Sequence, residues 1–249
     1  MTITGEEDLA RLKAAGRACA EARDTMAAAL RPGITTAELD AIGAKVLAAH
    51  GARSAPELTY GFPGTTCISV NEEVAHGIPS GRVLAAGDLV NIDVSAELGG
   101  VFADTGASYL VGAGDAKLTK LCRDGKRATW QGIRAVRSGA PLAAIGDAIG
   151  SFARRNGYTL LTNLASHGVG DSLHDEPGEI PTWPDRSERR RIADGLVFTI
   201  EPFLSLGARQ AVDNVPSDGF TLLSQPRAAT VQFEHTVVAT PRGAIIVTL

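Results

Sequence analysis

The chain has 249 residues, 44% hydrophobic and 21% charged, an ordinary make-up for a globular protein of one large domain or two small ones. Its 24 basic and 28 acidic residues leave a formal net charge of -4, so no electrostatic excess draws it to nucleic acid or to an anionic membrane. The opening MTITGEEDLA has neither a basic start nor an apolar core, and no apolar run approaches the ~18 residues of a membrane span; a cytoplasmic chain acting on a small or neutral ligand is expected.

Two helices are expected first. Thr4 with Glu7, and Thr35 with Glu38, have the spacing of capping boxes. The second box opens a helix with Leu39, Ile42, Val46 and Leu47 on one face, ended by Gly51. Strand-like runs follow at TCISV (66–70), LVNIDVS (89–95) and ASYLV (107–111), and a long helical stretch resumes near Ala116. Cys19, Cys67 and Cys122 are odd in number and far apart, which fits neither a disulfide framework nor a CxxC metal site.

The order of elements recurs. RPGITTAELDAIGAKVLAAHG (31–51) lies without a gap over RSGAPLAAIGDAIGSFARRNG (137–157), matching Arg31 with Arg137, Gly33 with Gly139, Ala37 with Ala143 and Gly51 with Gly157. GDLVNID (87–93) lies over GLVFTIE (195–201), pairing Asp93 with Glu201, and farther on Asp104 of VFADT finds its counterpart in Glu234 of VQFEHT. One domain over 1–249 is therefore expected, with related halves of about 1–112 and 113–249, each setting two acids on strands. Pseudo-twofold packing would gather four carboxylates. Buried together they raise one another's pKa, a strain that divalent cations relieve. Oxygen-rich sites with one or two imidazoles suit manganese, iron, cobalt or zinc. Histidines stand close by in sequence: His76 in NEEVAHGIP, His167 and His174 in SHGVGDSLHDEP, and His235 directly after Glu234, whereas His50 ends a helix and reads as a surface residue.

In order along the chain, NEEVAHGIP, NIDVS, ADTG, SHGVG, LHDEP, FTIEP and QFEHT resemble the motifs of the type I methionine aminopeptidases, a branch of peptidase family M24. The resemblance implies the duplicated α/β pita-bread fold, a curved antiparallel sheet covered by helices. It implies two divalent ions (Co, Mn, Fe or Zn), with Asp93 on one, His167 and Glu201 on the other, and Asp104 and Glu234 bridging both. A hydroxide shared by the ions would attack the first peptide bond, Glu201 carrying the proton, His174 steadying the carbonyl oxygen and His76 contacting the amide nitrogen. The implied substrate is the N-terminal methionine of nascent polypeptides with a small second residue, in a pocket of Tyr60, Phe62, Cys67, Leu173 and Phe220. The implied enzyme is a cytoplasmic monomer without direct nucleic-acid or membrane contact.

The motifs also depart from the family's pattern. Phe102-Ala103-Asp104 stands where the family often reads His-Gly-Asp, Leu173 where phenylalanine is common, and Phe220 where tryptophan is common. These bear on pocket shape and on what supports Asp104. Cys67 reads equally as a pocket residue or a small buried hydrophobe. The run DRSERRRIAD (185–194) could touch the ribosome transiently, although mixed charge runs usually face water. Two rival readings are a proline-directed peptidase of the same fold and a metal-free binding module; the second would be expected to lack ligands that this chain retains.

Overall fold

The computed structural model describes residues 1–249. The first half runs α1 (Glu6–Ala29), α2 (Thr36–Ala49), β1 (Arg53–Ser54), α3 (Ala55–Tyr60), β2 (Cys67–Val70), β3 (Glu73–Ala75), β4 (Leu89–Leu98) and β5 (Val101–Leu110). Next come α4 (Ala116–Ala135), α5 (Ala143–Arg155), β6 (Thr159–Leu160), β7 (Ser166–Gly168), β8 (Asp175–Ile180) and β9 (Val197–Ile200). The chain closes with β10 (Phe203–Ser205), β11 (Gln210–Asp213), β12 (Leu222–Gln225), β13 (Thr230–Gln232), β14 (His235–Thr240) and β15 (Gly243–Ile246). No helix is long and apolar enough to cross a membrane.

The capping box at α2 forms: Thr35 Oγ1 accepts from the Glu38 N–H at 3.1 Å, and Glu38 Oε2 accepts from the Thr35 N–H at 2.8 Å. The box expected at Thr4 does not form. Gly5 is the N-cap of α1, which places Glu7 at the second helical position and Asp8 at the third, where a returning acid belongs. Asp8 Oδ2 accordingly accepts from the N–H and hydroxyl of Thr4 at 3.0 and 2.8 Å.

The recurrence in sequence is a recurrence of backbone. Gly51 and Gly157, which follow α2 and α5, have φ of 70° and 75°, and Gly87 and Gly195, which precede β4 and β9, have φ of 90° and 75°. Each pair occupies the left-handed region where a Cβ is penalised, so the same turn recurs with the same residue.

The long hairpin β4–β5 explains why a strand should carry Asp93. Val90, Ile92, Val94 and Ala96, with Ala103 opposite, turn into a core shared with Ala15, Cys19, Met26 and Leu39 of α1 and α2. The alternate residues Asn91, Asp93 and Ser95 stand opposite Ser108, Gly106 and Asp104 and form the other, polar face. A second core, including Ile133 of α4, Ile145 and Ile149 of α5, and Phe198 and Ile200 of β9, backs the order β15-β14-β9-β7-β8.

The two strand systems meet where β5 approaches the start of β14. Glu234 N–H donates to Gly106 O at 2.8 Å, Thr105 Oγ1 to Glu234 O at 2.8 Å, and Thr236 exchanges hydrogen bonds with the backbone of Asp104 at 2.7 and 2.9 Å. Pairing of β3 with β12, in which Ala75 stands opposite Leu222, makes a second junction.

Candidate metal centre

The polar faces of the two halves look at each other across this seam. On the β4–β5 ladder Asp93 pairs with Gly106 and Ser95 with Asp104, so the two aspartates are diagonal neighbours on one face. In the second half His235 pairs with Ile200, and continuing that register one step brings Glu201, just past β9, beside Glu234, just ahead of β14. His167 lies on β7 at an irregularity in its pairing with β8, between the steps His167↔Glu179 and Gly168↔Asp175. A Cβ on Gly168 would collide with the Glu176 carbonyl, so the bulge closes only over glycine.

Asp104, His167 and Glu234 each place a donor atom within 4.8 Å of the others'. His167 Nε2 stands 3.4 Å from Glu201 Oε1 and 3.9 Å from Asp104 Oδ2. The other ring nitrogen, Nδ1, donates to Gly168 O at 3.0 Å, which leaves Nε2 with its lone pair toward the acids. Glu201 is steadied by Thr199 Oγ1, which donates to Oε1 at 2.8 Å, and its N–H donates to Ser166 Oγ at 2.9 Å. Asp93 joins them from the same face of the β4–β5 hairpin, diagonal to Asp104 and near enough that the charges of Asp104 and Glu201 raise its pKa. The structure thus brings all five expected ligands to one place, with Asp104, His167 and Glu234 the tightest set.

Their electrostatics match an oxygen-rich cation site. Burial, followed by the charges of Asp104 and Glu201, holds the Asp93 carboxyl well above the usual range. Burial and Asp104 do the same to Glu201, and burial with Asp104, Glu201 and Asp93 to Glu234. Asp104 is pushed up to about 6 by burial. His167 moves the other way, down to about 3, through burial and the nearness of His174. Two oxygens, Asp104 Oδ1 and Glu234 Oε1, are buried without any hydrogen-bond partner. Such atoms are costly unless something positive meets them, so the donor set fits divalent cations on its own chemistry.

The expected helpers border this group. The His174 ring lies 4.1 Å, centroid to centroid, from that of His167, and its Nδ1 is hydrogen-bonded to the Tyr60 hydroxyl. Burial lowers the pKa of His174; burial and then His174 lower that of His76, so both imidazoles are neutral at pH 7. Both still show surface to solvent, as residues on the walls of a cleft do. His76 has a φ of 55°, an unusual left-handed conformation just past β3, and the β3–β12 pairing brings it alongside the segment after Phe220.

Of the expected pocket residues, Phe62 and Phe220 pack edge to face with centroids 5.1 Å apart. Cys67 stands directly opposite Asp93 on β2, buried, its thiol pKa raised by burial and by Asp93. Leu173 is buried next to His174, and Tyr60 is exposed at the rim.

The remaining sequence candidates fall away from the cluster. His50 caps α2 and pairs with Glu21 at 2.8 Å. His235 turns to the back of the sheet, where its Nδ1 meets Thr248 Oγ1 at 3.0 Å and its ring lies against Trp130. In the run 185–194, Arg190 pairs with Glu188 and donates to the carbonyls of Pro177 and Glu179, so part of that charge serves the loop itself.

Two residues next to the cluster were not singled out from sequence. Gln232 donates to Glu234 Oε2 at 2.9 Å and accepts from Asn91 Nδ2 at 2.8 Å. The signal was present in strand alternation, since Gln232 precedes Glu234, and Asn91 precedes Asp93, by two residues.

The sequence and fold have close counterparts. Residues 10–241 match the family described as metallopeptidase family M24. Methionine aminopeptidase 2 of Bacillus subtilis is 44% identical over 249 residues, 100% of this chain and 99% of that protein. A methionine aminopeptidase of Staphylococcus epidermidis is 43% identical, covering 100% of this chain and 98% of its own. The crystal structure of methionine aminopeptidase from Rickettsia prowazekii superposes with a TM-score of 0.94 at 35% identity, covering 100% of both chains. The pita-bread architecture expected from the motifs is therefore the fold. With the family's match spanning nearly the whole chain and a buried acid–histidine cluster at its centre, the chain belongs to metallopeptidase family M24.

Proposed function

We propose that this chain removes N-terminal methionine from peptides and nascent polypeptides whose second residue is small. The observation that supports it most is the convergence of Asp104, His167 and Glu234 with two unpartnered buried oxygens. Two divalent ions are proposed, which Asp93, Asp104, His167, Glu201 and Glu234 would hold between them. Once bound, such ions lower the pKa of water and polarise a carbonyl.

The chain's own groups supply the rest. With the Tyr60 hydroxyl donating to His174 Nδ1, the neutral imidazole would carry its proton on Nε2 and could donate it toward the carbonyl oxygen as negative charge develops there. Glu201 would take the proton released by the attacking water and carry it to the leaving amine. His76 contacts the amide nitrogen of the bond being cut. Phe62, Phe220, Leu173, Cys67 and Tyr60 form the slot for an unbranched thioether side chain.

The proposed setting is the cytoplasm, acting as a monomer on nascent chains, with transient ribosome contact through 185–194. The test is hydrolysis of matched tripeptides by chelated protein reloaded with manganese or cobalt. Met-Ala-Ser should be cut far faster than Met-Lys-Ser. Preference for Xaa-Pro peptides over both overturns the substrate assignment.

A further inference from the structure

The ligand-bearing strands of the two halves are joined by a buried pair of carboxamides that the reaction chemistry does not use. Gln232, 1% exposed, and Asn91, 7% exposed, come from opposite halves of the chain. Gln232 Nε2 donates to Glu234 Oε2 at 2.9 Å, while its Oε1 accepts from Asn91 Nδ2 at 2.8 Å. Ser108 on β5 fixes the same spot: its hydroxyl donates to Gln232 O at 3.0 Å and accepts from Gln232 N–H at 3.1 Å. Both ends of the Gln232 carboxamide are thus used, one on a strand carrying Asp93, the other on Glu234.

Two further features single the contact out. A Cβ on Gly106 would collide with Gln232 Oε1 and lie 2.7 Å from Nε2, so the carboxamide crosses between the halves only because residue 106 has no side chain. Nor is the device duplicated. The position two before Asp104 is Phe102, which offers no polar side chain, and Asp104 Oδ1 is left without a partner. On Glu234 one oxygen is anchored by Gln232 and the other, Oε1, stays unpartnered.

We propose that Gln232, seated on Asn91 through the space left by Gly106, is a positioning residue that holds the Glu234 carboxylate in place for metal binding and ties it to the strand carrying Asp93. The proposal rests on the reading of Glu234 as a metal ligand given above. An outer hydrogen-bond partner of this kind typically contributes 10- to 100-fold in metal affinity, because an unheld carboxylate must be ordered when the ion arrives.

The experiment titrates cobalt(II) into chelated wild type, Gln232→Met, Asn91→Ala and Gly106→Ala, by calorimetry and by the visible spectrum of the bound ion. Melting of each metal-free protein is followed alongside. Gln232→Met keeps the length but loses donor and acceptor, and Gly106→Ala keeps the carboxamide but displaces it. The expected result is cobalt affinity lowered about 10- to 100-fold in Gln232→Met and Gly106→Ala, less in Asn91→Ala, with an altered cobalt spectrum. A role in packing alone would lower metal-free melting and leave affinity and spectrum as in wild type, and that result overturns the proposal. Should Gln232→Met fail to fold, wild-type affinity and spectrum in both Gly106→Ala and Asn91→Ala overturn it equally. Wild type that takes up no cobalt overturns the metal reading itself, and the proposal with it.

Discussion

Replacing a proposed bridging ligand should stabilise the metal-free protein, a sign opposite to that of most substitutions at buried polar positions. Asp104 is raised from 3.8 to about 6 by burial, a shift of about two units, which places an order-of-magnitude penalty of about 3 kcal/mol on its ionised form. The sign follows from proton binding. Between those two values the folded state holds a proton that the unfolded state has released, so stability falls as pH rises and the whole penalty is present above about pH 7. The carboxamide of Asp104→Asn carries no such charge, and the substitution also removes a repulsion that Asp93, Glu201 and Glu234 each feel. Chelated Asp104→Asn should therefore melt above chelated wild type at pH 8, by about 6 to 12 °C at roughly 2 to 4 °C per kcal/mol for a chain of this size, and the difference should vanish near pH 4. His167, lowered to about 3, contributes the opposite slope, stability being lost as pH falls below about 6.5, but it does so in both proteins and cancels in the comparison. With manganese at a thousandfold excess over its dissociation constant the order should reverse, since wild type gains about 4.1 kcal/mol by mass action, more than the penalty of about 3 kcal/mol, and the variant little. Differential scanning calorimetry with and without metal reads all four values. Asp104→Asn less stable than wild type at pH 8 without metal, by the same margin as at pH 4, would refute the reasoning.

Metal uptake should release protons and tighten as pH rises from 5 to 7, because carboxyls with raised pKa values must ionise to bind; calorimetry in two buffers of different ionisation heat counts the protons. His174→Ala should retain its metal while turnover falls by ~100-fold or more, the cost of losing one oxyanion donor, and metal content as low as in Asp104→Asn would remove His174 from that role. Tyr60→Phe should lower kcat less than His174→Ala and leave KM and metal content unchanged, as measured on Met-Ala-Ser. Phe220→Ala should narrow the Met-to-Leu ratio of kcat/KM, which in an apolar slot starts from only about 1 to 3 kcal/mol per methylene; a ratio equal to wild type with a lowered Tm would make the Phe62–Phe220 pair core rather than pocket.

The acids of the site were legible because strands print their two faces into the sequence. Asp93 alternates with the apolar series Val90, Ile92 and Val94, which faces the helices, so it had to face the opposite side. The internal repeat then supplied three more acids at matching places, and its paired glycines recur with the same positive φ. What stayed illegible depends on contacts between elements distant in sequence. Nothing local shows that β3 pairs with β12 and so carries His76 toward the Phe220 segment, or that Tyr60 reaches His174 across 114 residues. The start of α1 was misread by one residue because Thr4-Glu7 and Gly5-Asp8 both have capping spacing, and only the second acid falls at the third helical position. The Gln232–Asn91 contact was hidden for a related reason: each residue belongs to a motif already accounted for by its acid. Duplication predicts where ligands recur, but it is silent on where the halves differ. Phe102 and Gln232 occupy equivalent places ahead of Asp104 and Glu234, yet one offers an apolar ring and the other a hydrogen-bond donor. Two carboxylates equivalent in the repeat are thus held differently, Glu234 by an amide two residues ahead of it and Asp104 chiefly through its backbone on Thr236. The fold anchors one carboxylate oxygen of Glu234, while Asp104 Oδ1 and Glu234 Oε1 both stay buried without a partner, each open to a positive group that binds there.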